Sequence, residues 1–127
     1  GKQTENLDNY HNQLLQISDK SRMAFVIKYV REHMDEPLSV GFLAEKAHMS
    51  EPNFHRVFRD EIGMTPIQFI NMTRVKRASA LLNDPEIKMR EVFLRCGFNS
   101  LSYFNRIFKK TQGMSPKQYQ QQRNKMV

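Results

Sequence analysis

The sequence predicts an all-α chain of about seven helices, forming two helix-turn-helix subdomains joined by a long linking helix. Two observations predict it. A block occurs twice: residues 54–69 read FHRVFRDEIGMTPIQF and residues 104–119 read FNRIFKKTQGMSPKQY. At a shift of 50 positions Phe54, Arg56, Phe58, Gly63, Met64, Pro66 and Gln68 fall on Phe104, Arg106, Phe108, Gly113, Met114, Pro116 and Gln118. Such a self-match means that one supersecondary unit is used twice. Elsewhere apolar residues recur at helical spacing between proline, glycine and capping residues, and no stretch alternates as a strand does.

The elements follow in chain order. Residues 1–20 form a polar leader in which Leu7, Tyr10, Leu14 and Ile17 sit at the spacing of a short amphipathic helix. A first firm helix is expected from about Ser21 to Met34, with Met23, Val26, Ile27, Val30 and Met34 as its apolar stripe. Asp35-Glu36-Pro37 ends it, since proline pushes the residue before it out of the helical region.

Ser39 then caps a helix carrying Val40, Leu43, Ala44 and Ala47 on one face. Ser50 caps the next, with Phe54, Val57, Phe58 and Ile62 inward and Gly63 as the residue beyond its end. Together they make helix-turn-helix 1, about 39–63.

Thr65-Pro66-Ile67-Gln68 is a helix start, with a cap, a proline at the first position and glutamine at the third. The linking helix is placed at 66–83 with Ile67, Ile70, Val75, Ala78, Leu81 and Leu82 supplying apolar faces, until Asn83-Asp84-Pro85 stops it. Helix-turn-helix 2 occupies about 88–113: a helix from Met89 to Cys96, the Gly97-Phe98 turn, and the second copy of the repeated helix. Ser115-Pro116-Lys117-Gln118 repeats the helix-start signature, so a final helix is expected at 116–123 with 124–127 as tail.

The 127 residues suit one domain with one or two small cores. The formal net charge of +7 and sequence pI of about 9.8 favour a polyanionic partner. That surplus is segregated. Residues 1–49 hold six Lys/Arg against seven Asp/Glu, residues 50–113 eleven against six, and residues 114–127 three against none.

The single Cys96 cannot form an internal disulfide and is expected as buried filler in a reducing, cytoplasmic setting. No apolar run reaches membrane-spanning length. His11, His33 and His48 have no ligand spacing with Cys96, so neither a metal nor another cofactor is implied. Paired carboxylates, a phosphate loop and a nucleophile–base arrangement are lacking, which argues against an enzyme.

On a helical wheel Phe54, Val57 and Phe58, like Phe104, Ile107 and Phe108, point inward. His55, Arg56 and Arg59 are left on one outer face, and Asn105, Arg106, Lys109 and Lys110 on the other copy's. A helix fits the DNA major groove, where arginine makes two hydrogen bonds to guanine and asparagine suits adenine. Lysines and arginines further along reach phosphates and fix register.

A linking helix of roughly 18 residues spans about 27 Å. With the flanking modules, that allows two readers about 34 Å, one DNA turn, apart. Because one chain carries both, the expected site is two direct half-sites rather than a palindrome. Arg74, Lys76 and Arg77 on the linking helix are read as surface residues or residues facing the nucleic-acid backbone. The competing reading is an all-α basic interaction module that binds an acidic protein or RNA.

The runs LAEKAHMSEPNFHRVFRDEIGMTPIQFI, RVKRASALLND and CGFNSLSYFNRIFKKTQGMSPKQY resemble the DNA-binding domain of AraC/XylS-type bacterial transcriptional regulators, over roughly residues 21–123. The resemblance implies double-stranded promoter or operator DNA as partner, read in two adjacent major-groove segments. Carried over residue by residue, it implies base contacts from Pro52, His55 and Arg56 in the first reader and from Leu101, Ser102, Asn105 and Arg106 in the second. It implies backbone roles for Arg59 and Lys109, and the helical wheel adds Lys110 as an expected phosphate contact.

It also implies a sensing or dimerisation domain before residue 1, with the leader as interdomain linker. RNA polymerase is a further expected partner, and the expected location is the bacterial cytoplasm, on the nucleoid when bound. The sequence departs from the pattern at Phe93, where the family commonly has alanine, and at His48, where it often has glycine. Glu51 and Pro52 at the first reader's tip are a poor match to phosphates and bases.

Overall fold

The computed structural model describes residues 19–125, so the leader stripe of Leu7, Tyr10, Leu14 and Ile17 lies outside the described residues. Among the described residues there are seven helices and no strand. They are α1 over residues 19–32, α2 Val40–Lys46, α3 Glu51–Ile62, α4 Pro66–Leu81, α5 Met89–Arg95, α6 Leu101–Gln112 and α7 Pro116–Lys125. The all-α expectation holds. The described residues divide into two compact units, one from 19–29 and 39–66, the other from 30–38 and 67–125.

In the first unit Met23 and Val26 of α1, Leu43 and Ala44 of α2, and Phe54, Val57 and Phe58 of α3 are all buried. Ser39 Oγ accepts from Phe42 N at 3.0 Å and starts α2. At the other end of α2 the chain turns at His48, the one described non-glycine residue with positive φ, at 57°. His48 N donates to Glu45 O and Met49 N to Ala44 O, closing the paired bonds of a Schellman turn. Histidine there takes a backbone that glycine adopts at less cost.

The second unit is built on α4 as much as on the repeated module. Val75, Ala78 and Leu82 share one buried cluster with Val92, Cys96, Phe98, Phe104 and Phe108. The Phe104 ring lies 5.1 Å from Phe98, 5.8 Å from Phe108 and 6.3 Å from Phe93. The half-buried Phe93 is thus taken up by stacking on a core ring. The turn after α5 repeats the earlier one: Gly97 (φ 89°) donates to Leu94 O, and Phe98 N to Phe93 O. α7 is tied back through Gln120 Nε2, which donates to Asp84 O and Ile87 O, and Ser115 and Gln118 form the expected reciprocal cap.

Five expectations need correction. The linking helix ends at Leu81 rather than at residue 83, Leu82 and Asn83 lying in the turn that follows. α1 ends at residue 32, and Met34 lies in a turn closed by Glu36 N donating to His33 O, so proline is not its immediate stop. Ile67 is 52% exposed rather than apolar filling, while Phe69 is buried in its place. The last helix extends to Lys125.

Arg74 is not a surface residue: its Nε donates to Met34 O and its Nη2 to Glu36 O, both at 2.9 Å, with its guanidinium 5.8 Å from the Phe98 ring centroid. Burial lowers its pKa, yet arginine stays charged because its ordinary value is so high. It therefore clamps the turn after α1 with a charge-assisted pair of hydrogen bonds.

Candidate nucleic-acid interface

α3 and α6 are copies in geometry as well as sequence. Each begins on a serine whose Oγ accepts a backbone N–H three residues on, from Asn53 at 3.4 Å in α3 and from Tyr103 at 3.2 Å in α6. Each ends on a left-handed glycine, Gly63 at φ 85° and Gly113 at φ 80°, whose N–H closes the last turn. Two phenylalanines a turn apart anchor each helix: Phe54 and Phe58, then Phe104 and Phe108.

With that face buried, the remaining residues must face solvent. Pro52, His55, Arg56 and Arg59 are exposed on α3, and Leu101, Ser102, Asn105, Arg106, Lys109 and Lys110 on α6. Every candidate contact from the sequence is therefore sterically available within its own unit.

The two faces differ electrostatically. α3 carries Arg56 and Arg59 against Glu51, Asp60 and Glu61, whereas α6 carries Arg106, Lys109 and Lys110 with no acid. Arg56 Nη2 donates to Asn53 Oδ1 at 2.8 Å, and Nη1 lies 3.5 Å from Asp60 Oδ2. At the place of Asp60, α6 has Lys110. Arg106 instead lies with its guanidinium 5.2 Å from the Tyr103 ring centroid.

Leu101, Asn105, Arg106 and Lys109 line one groove with Ser115, Pro116 and Lys117 at the start of α7. Lys117 is thereby a neighbour of the reading face that sequence reasoning missed. The 50-residue shift did place it opposite Ile67, an apolar-to-cationic change between the two copies.

Cys96 is fully buried, and burial pushes its thiol up to about 11, outweighing the arginines around it. A thiol kept protonated at neutral pH is a poor nucleophile. Among the described residues no cluster of three His, Cys, Asp or Glu side chains forms a metal site, and no helix is long and apolar enough to cross a membrane.

Two helix-turn-helix units with matched, outward, cation-bearing second helices define a double helix-turn-helix regulator module. A family model described as "Helix-turn-helix domain" matches residues 43–122. The chain is 36% identical to the DNA-binding domain of AdpA, a global transcriptional factor solved in complex with a target DNA, with a TM-score of 0.73 over 77% of this chain and 88% of that one.

Among curated relatives, "Probable transcriptional regulator LumQ" of Photobacterium leiognathi is 29% identical over 102 residues, covering 80% of this chain. The HTH-type transcriptional activator RhaS of Escherichia coli (strain SE11) is 26% identical over 120 residues, covering 94% of this chain. The chain belongs to the AraC/XylS-type helix-turn-helix family of transcriptional regulators. It spans only 41% of LumQ and 40% of RhaS.

Proposed function

We propose that the chain reads double-stranded DNA by sequence through two recognition helices. The observation that carries this is the recurrence of an exposed, outward arginine at one position of a duplicated helix, Arg56 and Arg106. A lone exposed arginine on an amphipathic helix is an ordinary solvated residue. The same residue kept at the same place beside the same buried phenylalanines is what a groove reader needs.

In this reading Arg106 takes a guanine edge, and Asn105, Ser102 and Leu101 contact neighbouring bases. Pro52, His55 and Arg56 make the first reader's base contacts, and Arg59, Lys109 and Lys110 hold phosphates. Lys117, beside Arg106 and Lys109 in their groove, joins the phosphate set. The AdpA domain, solved on its target DNA, supports the assignment by likeness.

The curated relatives are more than twice as long as the matched part, and the similar AraT fragment is a response regulator's C-terminal domain, which supports a further domain before this one with residues 1–20 as its link. That domain would sense a signal or dimerise. RNA polymerase is the natural second partner for a promoter-bound regulator, and the cytoplasm, on the nucleoid when bound, its place of work.

The test is selection of duplexes from a random pool by the purified chain. A motif of two enriched segments is the expected result. Uniform retention of all duplexes would overturn the reading in favour of a basic module that binds acidic protein or RNA.

A further inference from the structure

We infer that Tyr103 is a positioning residue that presets Arg106 for base reading, a step that rests on α6 being a groove-reading helix. The Arg106 guanidinium lies 5.2 Å from the Tyr103 ring centroid, the range of a cation–π contact. The ring is itself held. Tyr103 Oη accepts from Asn71 Nδ2 at 2.9 Å, so α4 fixes its far end. Its body packs against Phe98, ring centroids 6.1 Å apart. A half-buried ring braced at two points is a fixed platform.

The acid that flanks Arg56 has no counterpart on α6. Lys110 stands at that place, and its like charge disfavours a guanidinium turned toward the helix C-terminus. Arg106 therefore rests toward the helix start, the end that enters the groove in helix-turn-helix readers.

The first reader solves the same problem at the same position. Asn53, which the 50-residue shift places on Tyr103, holds Arg56 through Oδ1 at 2.8 Å. Both copies thus use the residue three before the arginine as its holder, by a hydrogen bond in one and a ring face in the other. An arginine already confined loses less side-chain freedom on binding. The gain is concentrated on the one base pair it reads.

The experiment measures binding of the full chain to the selected duplex and to each single-base-pair variant by fluorescence anisotropy. Tyr103→Leu is expected to lower discrimination at the Arg106-dependent base pair roughly threefold to fivefold, the scale of an exposed cation–π contact. Discrimination elsewhere stays unchanged. Tyr103→Phe, which keeps the ring, retains it. In an Arg106→Ala background Tyr103→Leu changes discrimination no further.

Uniform weakening across all duplexes, or a loss that adds to that of Arg106→Ala, would overturn the assignment. Should Tyr103→Leu fail to fold, the wild-type Nε–H resonance decides. A ring-current shift of the Arg106 signal supports the platform, and an unshifted signal refutes it. If Arg106→Ala relaxes one position while Tyr103→Leu relaxes none, only this inference falls. If the wild-type chain enriches no motif, the proposed function falls with it.

Discussion

Arg106 and Lys109 sit three residues apart on one exposed helix face, and the two are expected to fail differently. On the proposed reading Arg106→Ala removes a bidentate donor to one base edge, so it should cost about 1–3 kcal/mol on the preferred duplex and relax selection at that base pair. Lys109→Ala removes a point charge. It should weaken every duplex alike and flatten the slope of log affinity against log salt by about 0.9.

Titrations over a range of salt with preferred and scrambled duplexes separate the two. Identical behaviour of the variants would dissolve the distinction between reading and holding. At this scale the sequence was informative about outward residues and less so about inward polar ones. Arg74 looked like its neighbours Lys76 and Arg77 because helical spacing shows which face a residue occupies. It cannot show that Met34 and Glu36 carbonyls, some forty residues earlier, need a donor there.

At the scale of elements the repeat was legible where its spacing stayed constant and hidden where it slipped. α2 aligns on α5 at a shift of 49, putting Leu43 on Val92, Ala44 on Phe93, Ala47 on Cys96 and His48 on Gly97. The turn into α6 holds one extra residue, Asn99, which moves the register to 50. A scan at 50 alone therefore found the second helix of each module and missed the first. Caps were readable because their chemistry is local: Ser39, Ser50 and Ser115 all accept the hydrogen bonds expected of them.

The turns also differ in what they tolerate. Gly63→Ala places a side chain in open space, so it should cost only the left-handed penalty of about 1–2 kcal/mol. Gly97→Ala adds a collision, with the new carbon 1.9 Å from Met34 O, and should unfold at clearly lower denaturant. Equal midpoints for the two would place the turn after α1 elsewhere. Phe104→Ala, at the centre of the ring cluster, should lose about 3–5 kcal/mol in the same assay.

For the molecule as a whole, the repeat supplies two similar scaffolds whose surfaces are unequal. Length and helical spacing conveyed the count of helices. They did not convey that all but the first residue of α4 belongs to the second unit, because only packing assigns a helix to a core. The basic surplus follows the same asymmetry. α3 offsets its two arginines with three acids, and α6 has three cations unopposed.

A polyanion should therefore hold the second reader more firmly than the first. Scrambling the duplex segment read by α6 is expected to lower affinity more than scrambling the segment read by α3. Asp60→Lys, which copies Lys110 into the first reader and frees Arg56 of its acid, should narrow that gap and steepen the salt slope by about 0.9 for each new phosphate contact. Footprinting of wild type and variant on the same selected duplex reads both segments at once. A wild-type footprint of equal strength over the two segments would mean that the acids on α3 do not limit its hold on DNA.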